Sequence, residues 1–285
     1  MGNAGMIKNF KNLKKKKCFL LDMDGTIYLG NNLIEGADKF LEILREEGKR
    51  YIFLTNNSSK NKEEYVKKLS KMGISAQLND IFTSGEAAVI YLNKIKKNAK
   101  IFLMGTKALE DEFTRAGFIL VKEKGKEIDF VVLGFDTTLT YEKLWTACEY
   151  LAEGVPYIAT HPDFNCPLAD GKFMPDAGAM MAFLKASTGR EPLVIGKPNR
   201  YIIDAVLEKY SLKKEDLAMV GDRLYTDIRT GIDNGLTSIL VMSGETDKKM
   251  LENTEFIPDY IFDSVKNIGE ILKDTKECRA KNIEF

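Results

Sequence analysis

The apolar run CFLLDMDGTIYLG, residues 18–30, breaks into two carboxylates one residue apart, Asp22 and Asp24. Asp and Gly favour turns, so by itself this break is compatible with a plain strand exit. Three other apolar runs end in residues suited to ions. YIFLT at 51–55 leads through Thr55 into Asn56, Asn57 and Ser58; PLVIG at 192–196 leads into Lys197 and Pro198; LAMVG at 217–221 leads into Asp222, with Asp227 five residues on in GDRLYTD. In open α/β sheets, ligands bind beyond the carboxyl ends of the strands, so these residues belong at one edge. Three acids there repel one another unless a cation sits among them. Carboxylate and carbonyl oxygens without sulfur or imidazole suit a hard ion, and Mg²⁺ keeps several waters with few protein ligands. Lys197 and Thr55, with Asn56 beside it, then offer a cation and donors to an anion, and phosphate fits. Phosphoryl transfer depends mostly on positioning and on neutralising the phosphoryl oxygens. A carboxylate can serve as its nucleophile, forming an aspartyl-phosphate. Each residue also has a plainer reading: Thr55 or its neighbours as the cap of a helix beginning near residue 60, Lys197 as a solvated helix-entry residue, Asp227 as an acid placed against a helix dipole.

The elements that must position these residues follow from periodicity. Short apolar runs alternate with amphipathic segments of helical period, the pattern of a parallel sheet flanked by helices. Strands are predicted at 18–22, 51–55, 192–196, 217–221 and 237–242, and helices at 36–48, 61–72, 199–210 and 224–234. A second series occupies the middle: strands in 100–105, 118–121, 129–135 and 156–160, and helices over 107–116 and 140–153. At 285 residues, two domains or one domain with a large insertion are expected. The predicted fold is a doubly wound α/β core, residues 18–84 and 178–285, preceded by a basic lead-in over 1–17 and interrupted by an inserted α/β domain over 85–177. Its borders are placed near 83–86 and 175–178, read as short Gly-containing turns beside helical segments.

Composition narrows the function. Basic and acidic residues balance at 42 each, so no overall field favours nucleic acid or an anionic membrane. The six lysines of KNFKNLKKKK, residues 8–17, read as a solvated lead-in. A lipid anchor on Gly2 is rejected, because the acylation pattern needs Ser or Thr where Met6 stands. The four cysteines, Cys18, Cys148, Cys166 and Cys278, are scattered, and His161 is the single histidine, which argues against a zinc site and a disulfide framework. No apolar stretch nears the roughly 20 residues that span a bilayer, and no signal peptide is visible. A cytoplasmic protein is expected.

DMDGT at 22–26, LTNNSS at 54–59, GKPN at 196–199 and GDRLYTD at 221–227 resemble, in order, the four motifs of the haloacid dehalogenase superfamily. The insertion between the second and third resembles the larger α/β cap of its NagD-like and 4-nitrophenyl phosphatases. The resemblance implies that Asp22 attacks phosphorus and binds Mg²⁺, and that Asp24 protonates the leaving alcohol and then activates water. The Asp24 carbonyl and Asp222 would complete the protein ligands, and Asp227 would orient Lys197 or a metal-bound water. Thr55, Asn56 and Lys197 would hold the phosphoryl oxygens. Substrate choice would fall to the cap and its neighbourhood, with Asn57, His161 and Asp163 as candidates in or facing the turn-rich segment 158–178. Tyr225 is read as a surface or packing residue. The implied activity is hydrolysis of small phosphorylated metabolites, by a homodimer paired through the cap. A dehalogenase would lack Asp24; a phosphomutase, or a non-catalytic phosphate-binding protein on the same fold, is the competing reading.

Overall fold

A computed structural model of the chain describes residues 10–168 and 171–273. Gly2, Met6, Lys8 and Cys278 therefore lie outside the described residues, as do two positions of the segment 158–178. The chain forms two compact units, one of residues up to Ile52 and from Lys213 onward, the other of Phe53–Leu212.

The elements run, up to the first crossing between units, as α1 (Lys11–Lys15), β1 (Cys18–Leu21), β2 (Tyr28–Leu29), β3 (Asn32–Leu33), α2 (Ala37–Glu46) and β4 (Arg50–Thr55), within which the chain passes into the second unit. There follow α3 (Lys62–Lys71), β5 (Ile81–Thr83), α4 (Ser84–Ile95), β6 (Lys100–Met104), α5 (Lys107–Arg115), β7 (Ile119–Leu120), β8 (Phe130–Leu133) and α6 (Tyr141–Ala152). The second unit closes with β9 (Tyr157–Ala159), β10 (Asn165–Pro167), β11 (Phe173–Pro175), α7 (Ala177–Thr188), β12 (Leu193–Val194) and α8 (Arg200–Tyr210). The return to the first unit brings β13 (Leu217–Gly221), α9 (Arg229–Asn234), β14 (Thr237–Val241), α10 (Lys248–Glu252), β15 (Tyr260–Phe262) and α11 (Val265–Lys273).

In the first unit the strands lie side by side in the order β15, β14, β13, β1, all parallel. The CFLL of β1 and the LAMVG of β13 are buried along their whole length, as strands covered on both faces must be. Their register aligns Leu21 with Val220, and the Asp22 N–H donates to the Val220 carbonyl at 2.9 Å. The carboxyl ends of two neighbouring strands thus open at the same edge, one into Asp22 and the other into Asp222. One face is covered by α2, whose Phe40 meets Phe19 of β1 edge-on at 6.3 Å, and by α11, whose Gly269 lies close to the Phe40 backbone.

The lysine-rich segment differs from its expectation as a solvated lead-in. It forms α1, which packs against α11; Leu13 is fully buried and Phe10 stacks on Tyr260 and Phe262. The Lys16 ammonium donates to the Glu215 carbonyl at 2.8 Å, leaving that side chain among the buried ones. Two apolar residues in the run supply an anchor that the lysine count hides.

In the second unit a five-stranded parallel sheet has the order β12, β9, β8, β6, β7. The end of β4 pairs in parallel with β5, and β10 and β11 form an antiparallel hairpin. PLVIG does not join the strands that carry Asp22 and Asp222: its β12 pairs with β9, Leu193 against Ile158. A short apolar run carries no label for the sheet it enters, so periodicity could not decide this. Positions 83–86 and 175–178 are helix starts rather than turns. Thr83 Oγ1 accepts from the Glu86 N–H at 3.0 Å, and Asp176 Oδ1 from the Ala177 N–H at 2.6 Å. Among the described residues no helix is long and apolar enough to cross a membrane.

Leu13→Ala should lower unfolding stability by about 2–5 kcal/mol, the usual cost of emptying a buried leucine site, seen as a lower urea midpoint. An unchanged midpoint would restore the solvated reading of the lysine run.

Candidate active site

Asp22 and Asp24 stand where β1 ends. The turn Met23–Tyr28 follows, held by the Gly25 N–H donating to the Tyr28 carbonyl at 2.8 Å, with an isolated bridge between Asp24 and Tyr28. Gly25 has φ of 83°, and a Cβ there would lie 2.3 Å from Asp222 Oδ2, so both its backbone and the space around it require glycine. Asp222 follows β13 directly. Asp227 sits in a single π-helical turn, Leu224–Ile228, ahead of α9, where one continuous helix was expected over 224–234. That wider turn lets the Arg223 N–H donate to Asp227 Oδ2 at 3.2 Å, which brings the Asp227 carboxylate back to the strand end.

The result is a carboxylate triplet. Oxygens of Asp22, Asp222 and Asp227 all lie within 4.8 Å of one another, with Asp222 and Asp227 buried. Burial, together with the charges of Asp22 and Asp227, pushes the Asp222 carboxyl well above the usual carboxylate range, against the opposing donation from the Glu245 N–H at 2.7 Å. Its other oxygen, Oδ1, is buried with no hydrogen-bond partner. An orphaned carboxylate oxygen among other hard oxygens fits a divalent cation. The residues that would hold it are Asp22, Asp222 and Asp227.

Reading from motifs missed the support around this triplet. Arg223 bonds Glu245 through Nε at 2.9 Å; burial works against its charge, but Asp22 and Glu245 hold its pKa above the ordinary arginine value. A Cβ on Gly244 would stand 2.0 Å from Asp222 Oδ2, and the Ser243 hydroxyl donates to the Gly25 carbonyl at 2.8 Å. Ser243, Gly244 and Glu245 follow the end of TSILVM, so the strand-end rule used for the other motifs would have found them. Tyr225 points outward, its hydroxyl donating to Glu245 at 2.7 Å.

The remaining expected residues gather in the second unit. Thr55 ends β4, buried, and its hydroxyl oxygen accepts from the Asn57 N–H at 3.1 Å. Neither Thr55 nor residues 56–58 cap the next helix: Asn61 does so, in a reciprocal capping box with Glu64. Asn56 latches Lys197. Its Oδ1 accepts from the Lys197 N–H at 2.8 Å, while its Nδ2 donates to the Lys197 carbonyl at 3.0 Å and to Asp163 Oδ1 at 3.1 Å. The Asn56 carbonyl receives the Ser84 hydroxyl. Lys197 is only 1% exposed, which sets aside a solvated helix-entry role. Asn57 is half-buried, accepting from Ser59, with Cys166 Sγ 4.0 Å from its amide. His161, a candidate for substrate choice, is fully buried, and both ring nitrogens are taken up within the protein.

The haloacid dehalogenase-like hydrolase profile matches residues 19–119, and a HAD-hydrolase-like profile matches 194–268. An acid sugar phosphatase of Staphylococcus saprophyticus is 36% identical over 93% of this chain and all of its own length. The crystal structure of 4-nitrophenylphosphatase from Thermotoga maritima superposes with a TM-score of 0.88 at 46% identity, covering 92% of this chain and 99% of that one. A glycerol phosphate phosphatase from Mycobacterium tuberculosis, solved in complex with calcium, gives a TM-score of 0.84 at 29% identity, over 90% of this chain and 76% of that one. The same enzyme was solved with magnesium.

Replacing Asp222 by Asn should raise the melting temperature of chelator-treated protein, because one of three mutually repelling charges is gone, and should abolish the rise that divalent metal gives the wild type. Differential scanning fluorimetry with and without chelator checks both signs.

The parallel α/β fold, the hard-oxygen triplet and the full-length relatives agree: the chain belongs to the haloacid dehalogenase-like hydrolases, in the NagD-like and 4-nitrophenyl phosphatase branch, and is a phosphatase whose acid triplet fits a divalent metal.

Proposed function

We propose that this phosphatase hydrolyses small phosphorylated metabolites in the cytoplasm through an aspartyl-phosphate on Asp22, with Mg²⁺ as its metal. The substrate is a sugar phosphate, a nucleoside monophosphate, phosphoglycolate or pyridoxal phosphate, and 4-nitrophenyl phosphate is a convenient chromogenic one. The observation that carries the reading is the triplet of Asp22, Asp222 and Asp227 with a second acid, Asp24, two residues from the first. The names of the acid sugar phosphatase and 4-nitrophenylphosphatase relatives support it, as does the magnesium complex of the mycobacterial relative.

Asp22 attacks phosphorus, and Asp24 gives its proton to the departing alcohol, then removes one from the water that splits the acyl phosphate. Asp22, the Asp24 carbonyl and Asp222, with Asp227 in support, would hold the metal, which would supply positive charge to the phosphoryl oxygens. Thr55 and Lys197 bind those oxygens. Asn56 contributes through its main chain, since its amide side chain is engaged by Lys197 and Asp163. Residues 18–84 and 178–285 act as the catalytic core, and 85–177 as a cap whose neighbourhood, with Asn57 and Asp163, selects the leaving group. Closure of such a lid limits water at the acyl phosphate. Pairing of two chains through the cap completes the proposal.

Phosphate release from a panel of phosphorylated metabolites, with and without Mg²⁺, tests it. Asp22→Asn should abolish metal-dependent turnover in a folded protein, and retained turnover would refute the covalent role. Asp24→Asn should slow turnover by about 10²–10⁴-fold, the range of a lost acid and base.

A further inference from the structure

Ser58, Thr160, His161 and Asp176 form a hydrogen-bond chain inside the second unit, with none of the four more than 3% exposed. The Phe135 N–H donates to Ser58 Oγ at 2.9 Å, and the Ser58 and Thr160 hydroxyls share a hydrogen bond of 2.9 Å. Thr160 Oγ1 lies 2.9 Å from His161 Nδ1, and His161 Nε2 lies 2.9 Å from Asp176 Oδ1. Asp176 is also the cap of α7 through Ala177. A buried polar chain rigidifies its surroundings when its members are satisfied, and is costly when one is removed.

This chain borders the Asn56–Lys197 latch on two sides. Ser58 stands two residues from Asn56. Across from it, the Gly196 N–H donates to the Thr160 carbonyl at 2.7 Å, immediately before Lys197. The approach is tight: a Cβ on Gly196 would fall 2.6 Å from both Asn56 Oδ1 and the Thr160 carbonyl oxygen, and 2.9 Å from His161 Cβ. Movement of residues 160–161 therefore cannot leave Gly196 and Asn56 undisturbed.

We propose that His161 and Asp176 are positioning residues for phosphate binding: anchored to α7, the pair fixes Thr160 and Ser58 and through them the Asn56–Lys197 latch, without touching substrate. The proposal rests on the reading of Lys197 and Thr55 as phosphate ligands. Protonation enters through the ring. Burial alone would lower the His161 pKa, but the hydrogen bond and charge of Asp176, with the charge of Asp163, lift it above the ordinary histidine value against the opposition of Lys197. A raised folded pKa means that the charged pair is fully formed below the ordinary histidine value and is lost as pH rises through the raised one. Above it, the neutral ring accepts from the Thr160 hydroxyl where the charged ring donated to it.

Inorganic phosphate titrated calorimetrically onto wild type, His161→Leu, Asp176→Asn and His161→Gln across the neutral range tests this, with 4-nitrophenyl phosphate kinetics in parallel. His161→Leu and Asp176→Asn should weaken phosphate binding by about ten- to a hundredfold, the effect of losing a charge-assisted hydrogen bond, and KM should rise with it. His161→Gln, whose amide can reach Asp176 but does not titrate, should recover most of the affinity. The ratio of wild-type to Gln-variant affinity should fall toward one as pH rises. Folded variants with unchanged phosphate affinity would overturn the proposal. Should His161→Leu not fold, a Gln variant with the wild-type pH dependence would overturn it as well. A wild type that binds phosphate but does not hydrolyse 4-nitrophenyl phosphate removes the catalytic reading and leaves this test intact; one that binds no phosphate overturns both.

Discussion

Three carboxylates share a space in which their oxygens lie within 4.8 Å of one another. At the effective dielectric typical of protein sites, each pair of full charges at that separation repels by about 3–4 kcal/mol. Repulsion of that size exceeds what one hydrogen bond returns, and Asp222 is helped by a main-chain donor from Glu245 and by the charge of Arg223. The surroundings are built to tolerate this. Gly25 and Gly244 leave room for the Asp222 carboxylate, the π-helical turn brings Asp227 back toward the strand end, and Arg223 places a positive charge beside the acids. A cation would resolve what these devices only limit, and its binding would then add to the stability of the first unit.

The second unit solves a different problem, that of burying a lysine. Lys197 is almost wholly enclosed, and its main chain is gripped at both the N–H and the carbonyl by one asparagine side chain. Such a grip fixes the start of the ammonium's reach rather than its charge. Rigid placement of a cation matters where catalysis consists largely of stabilising charge on transferred oxygens, because a preorganised charge needs no rearrangement as the reaction proceeds. The buried His161–Asp176 pair is the proposed outer layer of the same construction.

Strand ends are the common feature of both units. β1, β4 and β13 carry the proposed site residues Asp22, Thr55 and Asp222 at or just past their carboxyl ends. A parallel strand puts its first unpaired residue where the neighbouring strand does, so short motifs far apart in sequence become neighbours without long loops.

Much of this was legible in the sequence. The alternation of apolar runs with helical segments specified a parallel α/β fold, and Asp22, Asp24, Thr55, Lys197, Asp222 and Asp227 could be picked out because each ends an apolar run or lies within six residues of its end. These are local features, set by side-chain polarity along a few residues. Partnership was not local. That PLVIG pairs with β9, that Leu13 and Phe10 anchor the lysine run, and that Ser243–Glu245 support Asp222 depend on contacts between distant segments, to which periodicity is blind. His161 shows the division most clearly. The sequence by itself determined that the chain carries a single imidazole just after a strand; only the tertiary structure decided that it is buried between Thr160 and Asp176, because burial and hydrogen-bond partners are set by what packs around a residue and not by its neighbours along the chain.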